Sequence, residues 1–177
     1  MELIVLTYCL TFVVMLAVLS TAGTFNHEHL CPSGCECIGG TINFSLTVDC
    51  HGDPDIDRGQ LSQQIDSLLS SNLSYGHVTW LSITGTPLTR VPPSVCRLTT
   101  LTQLHLEHNR LTRLPDNCLS NLTALTSLTA SNNAIAELQD GLFDGLGKLV
   151  TLNVSKNQLS SIGLRVFNGS AMLTSLN

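Results

Sequence analysis

The sequence predicts a solenoid of the α/β class: short parallel strands stacked coil on coil, closed at the N-terminal end by a disulfide-bonded cap. Three observations predict it. A pattern of aliphatic residues returns every 24 residues through the second half of the chain. One asparagine returns with it, at Asn109, Asn133 and Asn157. Four cysteines, Cys31, Cys35, Cys37 and Cys50, crowd the segment before the repeat begins.

Taken in order, residues 1–23 read as a signal peptide. The stretch LIVLTYCLTFVVMLAVLS, Leu3 to Ser20, carries no charge, and Ser20 and Ala22 present the small-x-small pattern of a cleavage site after Ala22 or Gly23. Glu2 stands where a positive charge is usual, and the apolar run is just long enough to span a bilayer, so an uncleaved signal anchor is the competing reading. Both readings send the rest of the chain out of the cytosol, to the secreted fraction or the extracellular face of the plasma membrane. The cysteines agree. Of seven, Cys9 lies in the leader, and the remaining six suit disulfides in an oxidising compartment. Five sequons, at Asn43, Asn72, Asn121, Asn153 and Asn168, read as glycosylation sites.

Composition narrows the class. The chain has 177 residues, 43% hydrophobic and 12% charged, which fits one folded domain. Net charge is -5 with no basic run, so nucleic acid is not an expected partner.

Residues 24–77 are read as the cap. Its four cysteines allow three pairings, and spacing alone does not choose among them. Within LSQQIDSLLSSN, Leu61 to Asn72, the residues Leu61, Ile65, Leu68 and Leu69 share one helical face, which predicts a short helix packed on the cap.

Residues 78–177 hold four repeats and the start of a fifth. Leu101, Leu104, Leu106, Asn109 and Leu111 recur as Leu125, Leu128, Ala130, Asn133 and Ile135, then as Leu149, Leu152, Val154, Asn157 and Leu159. One step back, at 23 residues, stand Val78, Leu81, Ile83, Thr86 and Leu88. Neither a helix nor a strand has this spacing. One coil of a solenoid does: a short strand with alternate leucines inward, then a bend and a return path through Leu114 and Leu119. Where the chain leaves the strand, backbone groups turn inward and lose their ladder partners, at about 1–3 kcal/mol for each one left unpaired. An asparagine offers two donors and an acceptor there. Thr86, in the first coil, can do part of that work.

This pattern, LxxLxLxxNxL, resembles the extracellular leucine-rich repeat, and Cys31-x3-Cys35-x-Cys37-x12-Cys50 resembles the N-terminal cysteine cap of such proteins. The resemblance implies a right-handed solenoid with its parallel sheet on the concave face, and cap bridges Cys31–Cys37 and Cys35–Cys50. The segment from His51 to His77 is longer than such caps usually show. No second cap follows, and the repeat stops a few residues into a new coil at Asn177, so the expectation is a fragment of a longer protein or a truncated gene model. A membrane attachment is expected only through a missing C-terminal segment.

Cys96 and Cys118 lie 22 residues apart, nearly one coil. Coils spaced by about 4.8 Å fall within the Cα window of a disulfide, yet the two registers differ by one, since Cys96 aligns with Leu119 and Cys118 with Leu142. A bridge and two buried thiols are both open readings.

Catalytic chemistry finds little support. An all-cysteine zinc site in the cap, with His27, His29 or His51 beside it, competes with disulfides, and secretion favours disulfides. His105-Leu106-Glu107 has the H-x-E of zinc deaminases, but Pro115-Asp116-Asn117-Cys118 is not their second half. No G-x-S-x-G occurs, and no glycine loop sits between a strand and a helix. No enzyme, metal or cofactor is expected.

The free side of the strands remains. The residues expected there are Trp80 and Ser82, then Gln103, His105, Glu107 and His108, then Ser127 and Thr129 with Ser131 and Asn132, then Thr151 and Lys156 with Asn153 and Ser155. They do not hold the coils together, so they are the ligand-binding candidates. Trp80 is the anchor candidate, with packing against the cap as its bland alternative. His105 and His108 would make a contact there pH-sensitive between about pH 5 and 8. A glycan on Asn153 would shield the fourth coil. Ectodomains of Toll-like receptors, variable lymphocyte receptors, Slit-type guidance proteins and small proteoglycans share the motifs. That resemblance implies a recognition ectodomain of innate-immune type, with a protein or glycan ligand. A matrix or adhesion protein and a secreted enzyme inhibitor are the alternatives. The sequence gives no oligomeric state.

Overall fold

The computed structural model of the chain describes residues 31, 35–40, 45–49, 58–71 and 78–177. Residues 1–30, read above as a signal peptide and the start of the cap, lie outside the described residues, as do Cys50, Asn43, Asn72 and His51. In chain order the elements are β1 (Glu36–Gly40), β2 (Ser45–Asp49), α1 (Arg58–Ser71), β3 (Trp80–Thr84), a 3-10 turn (Pro93–Arg97), β4 (Gln103–His105), α2 (Asp116–Leu119), β5 (Ser127–Thr129), β6 (Glu137–Leu138), β7 (Thr151–Asn153), β8 (Ser161–Ile162) and β9 (Ser175–Leu176).

The strands make one sheet in the order β1-β2-β3-β4-β5-β7-β9. Every pair from β2 onward is parallel, and the leucines keep register: Leu81 faces Leu104, Leu104 faces Leu128, Leu128 faces Leu152, and Leu152 faces Leu176. The first four of these are buried, together with Leu101, Leu125 and Leu149 one step before each strand. A 24-residue period is therefore a spatial period of one strand. The repeat buries its leucines only against its neighbours, which makes the core continuous from Leu46 to Val166.

The cap enters the same sheet. β1 and β2 form an antiparallel hairpin, and β2 runs parallel to β3 with Leu46 beside Leu81 and Val48 beside Ile83. Cys31 is bonded to Cys37 across the hairpin's start, and Cys35 is also disulfide-bonded. Helix α1 buries Leu61, Ile65, Leu68 and Leu69, the face expected from their spacing. Its Asp66 Oδ1 accepts the Ser94 N–H at 2.9 Å and so ties the helix to the first 3-10 turn.

The asparagines stack as a ladder. Asn133 Nδ2 donates to the carbonyls of Leu106 (2.8 Å) and Ala130 (3.0 Å), and its Oδ1 accepts from Leu111 N–H at 2.9 Å. Asn157 repeats this with Ala130, Val154 and Ile135. Asn109 Nδ2 bonds Ile83 and Leu106, but its Oδ1 takes the N–H and hydroxyl of Thr86, whose own Oγ1 accepts Leu88 N–H at 3.3 Å. Thr86 thus relays to Leu88 what an asparagine would bond directly.

The residue before each ladder position is left-handed. Gly85, His108, Asn132 and Lys156 have φ of 65°, 56°, 55° and 53°. Only Gly and Asn adopt this region at little cost. Each of the first three donates its N–H to the next coil, as Gly85 does to Glu107 O at 3.2 Å and His108 to Ser131 O at 3.1 Å. These bonds carry the ladder around the corner.

The outer side differs from coil to coil. Cys96 and Cys118 are joined, with Cα atoms 4.7 Å apart, so the one-residue register offset does not prevent a bridge. In the later coils the equivalents of Cys96 are Phe143 and Phe167, stacked with ring centres 5.9 Å apart. β6 and β8 form a separate two-stranded parallel pair on this return path, which leucine spacing does not reveal.

Candidate functional site

Residues on the solvent side of β3, β4 and β5 form one connected cluster. The indole of Trp80 lies against the imidazole of His105, ring centres 5.2 Å apart and tilted by 43°. Trp80 pairs with Gln103 in the ladder, so His105 is its diagonal neighbour on the next strand, a distance aromatic side chains bridge. His105 pairs in turn with Thr129. Thr129 Oγ1 stands 3.0 Å from His105 Nδ1 and donates to Glu107 Oε1 at 2.5 Å. His105 Nδ1 is 3.4 Å from the same carboxylate oxygen.

This network assigns the histidine tautomer. The single Thr129 hydroxyl proton goes to Glu107, so Thr129 must accept from His105, and Nδ1 carries the hydrogen. Nε2 then carries no hydrogen, and since the Gln103 Oε1 that stands 3.5 Å away also accepts, the Gln103 amide must turn its NH2 toward the ring for that contact to be a hydrogen bond.

Burial pushes the Glu107 carboxyl up, but hydrogen bonds from His105, from Thr129 and from its own backbone N–H, with the attraction of His105, outweigh that and hold it below its ordinary value of 4.5. The site therefore carries one fixed negative charge, an aromatic face and a hydroxyl. Because His105 meets Thr129 through its N–H, it cannot take the hydroxyl proton, and the arrangement holds groups still without activating a nucleophile. Among the described residues no group of histidines, cysteines and carboxylates has metal-site spacing.

The other candidates divide. Gln103 is exposed, and Ser127, Thr151, Asn153 and Ser155 are part-exposed on the same face. Ser82, expected to face a ligand, is only 6% exposed. It is a short side chain flanked in register by Thr47 and His105, and its longer neighbours cover it. Ser131 is buried for its part at 8%. His108 and Lys156, also expected on the strand face, are exposed at the left-handed corner beyond the strand end. Among the described residues His108 has no hydrogen bond to the cluster, so the structure does not join the two histidines into one site. Asn121 and Asn168 are exposed, while Asn153 lies in β7 and binds its own turn through Ser155 N–H at 3.0 Å.

Comparison with known proteins agrees with this geometry. The leucine-rich-repeat family model matches residues 76–135 and 131–177. A crystal structure of a TLR13–ssRNA13 complex superposes with a TM-score of 0.54 at 27% identity, over 57% of this chain and 14% of that one. The leucine-rich-repeat domain of LRIM1 gives 0.51 at 22% identity, over 72% of this chain and 35% of that one, a likeness of fold alone. The chain thus spans a minor part of the length of either. No match is found among curated protein sequences. With strands in register, a buried leucine in every coil, an asparagine ladder beneath and a family match over more than half its length, the chain belongs to the leucine-rich-repeat family.

Proposed function

We propose that the chain is an extracellular recognition module of a cell-surface or secreted receptor, binding a protein or glycan ligand on the strand face of its first three coils. The supporting observation is the Trp80–His105–Thr129–Glu107 cluster, which spans three strands and presents an aromatic face beside an ionised carboxylate. A preset aromatic ring loses little freedom on binding and carries interface energy well. The hydroxyls of Ser127, Thr151 and Ser155 extend the surface with adaptable hydrogen-bonding groups.

A glycan on Asn153 would cover the fourth coil and direct ligands to the first three, whereas sugars on Asn121 and Asn168 would stand away from the strand face. Single-stranded RNA, named with TLR13, fits this face poorly. Its phosphates would meet the Glu107 carboxylate, and β3, β4 and β5 carry no lysine or arginine.

The test is to probe arrays of glycans and of extracellular proteins with the full chain and with Trp80→Ala and Glu107→Gln. A true ligand loses about thirtyfold in affinity with Trp80→Ala, a hot-spot effect, while circular dichroism stays unchanged. Ligands bound equally by the wild type and both variants would place recognition elsewhere.

A further inference from the structure

The first two coils carry a second concavity away from the strand face. It encloses about 440 Å³ between the asparagine corner and the outer-side turns, and is lined by Arg90, Arg113, Pro93, Pro115 and the Cys96–Cys118 disulfide. The arginines hold the same place in successive coils. Thr112 N–H donates to Thr89 O at 3.4 Å one residue earlier, so their backbones run side by side. Both are exposed, and among the described residues neither guanidinium has an ion pair or hydrogen bond. Two adjacent positive charges without a counter-charge among the described residues are unexpected in a chain of net charge -5.

We propose that this cavity is a binding site for a carboxylate side chain of an acidic peptide segment. Two parallel guanidinium forks can each bond one carboxylate oxygen, or two neighbouring carboxylates, while the peptide's carbon atoms lie on the prolines and the disulfide. A sulfated sugar chain is the competing polyanion, and two features disfavour it. Its hydroxyls would lose water against the buried Val91, Leu114 and Cys118 without gaining partners. The cationic strip also stops after two coils, because the next residue in line is Glu137, which accepts from Gln139 at 2.7 Å. The site is independent of the Trp80 cluster.

The probes are a capped FEEF tetrapeptide, its FQQF counterpart and a heparin-derived hexasaccharide, titrated by calorimetry into the full chain. Binding of FEEF alone, weakening with added salt, is the expected result. Arg90→Gln and Arg113→Gln each weaken it by about tenfold, since each removes a charge-assisted bond. Trp80→Ala leaves it unchanged. Should a glutamine variant melt early, Arg90→Lys and Arg113→Lys keep the charge without the fork and must give an intermediate loss. Equal binding of FEEF and FQQF, full binding by the Arg90→Gln, Arg113→Gln double variant, or binding of the hexasaccharide with FEEF silent would each overturn the proposal.

Discussion

The outer sides of the first and last coils close the same backbone by different means. Coils one and two are joined covalently through Cys96 and Cys118, with prolines on either side. Coils three and four rely on Phe143, fully buried, stacked on Phe167. The inner side changes far less: the Asn133 and Asn157 bonds match in kind and length, and the first step differs only by the Thr86 relay to Leu88. The outer path has no fixed ladder to satisfy. It needs only to fill volume and join ends, so any chemistry that does both is accepted there.

That contrast can be broken at its strongest points. Phe143→Ala should cost most, about 3–5 kcal/mol, because it opens a cavity where no disulfide holds the coils together. Denaturant titration reads it, and a cost below that of removing the bridge would reverse the ranking of the two closures. Replacing Cys96 and Cys118 together by alanine should cost about 3 kcal/mol, the loop-entropy value for 22 residues. The same loss should follow reduction of that bridge in the wild type. Asn133→Ala tests the inner side. It leaves inward carbonyls and the Leu111 N–H unpaired and should cost about 2 kcal/mol, with the loss of hydrogen-exchange protection centred on coils two and three.

The smallest effect concerns Glu107. Its carboxyl is held below 4.5, so its contribution to stability is fully present above that pH and is lost as pH falls through the folded value. The wild type should exceed Glu107→Gln by less than about 1 kcal/mol at pH 6, since the pair is part-exposed, and the gap should shrink as pH falls below 4.5. A gap that widens on acidification would contradict the hydrogen-bond assignment around Thr129.

The sequence made the scaffold readable because leucine and asparagine have jobs that few other residues can do. Inward leucines at a period of 24 define the strands, and the Asn109, Asn133 and Asn157 ladder follows from backbone groups that need partners. The left-handed corner was hidden for the opposite reason. Gly85, His108, Asn132 and Lys156 share a backbone conformation but no side-chain chemistry, so alignment alone sets His108, Asn132 and Lys156 on the strand face. Ser82 misled through size, since alternation gives its direction but not its cover. The Trp80–His105 contact is diagonal, and the Thr129–Glu107 bond skips a register step, so neither follows from aligned columns. The Arg90–Arg113 pair was legible as an alignment column all along, but the cavity between them depends on the proline turns.

The asparagine ladder has a direction. Each asparagine reaches back to the coil before it, as Asn133 does to Leu106 and Leu111, and Asn157 to Ala130 and Ile135. A coil without its successor would keep inward carbonyls and an N–H unpaired. Each coil thus depends for its last bonds on its successor, so a cut between two coils would loosen the one before the cut more than the one after it.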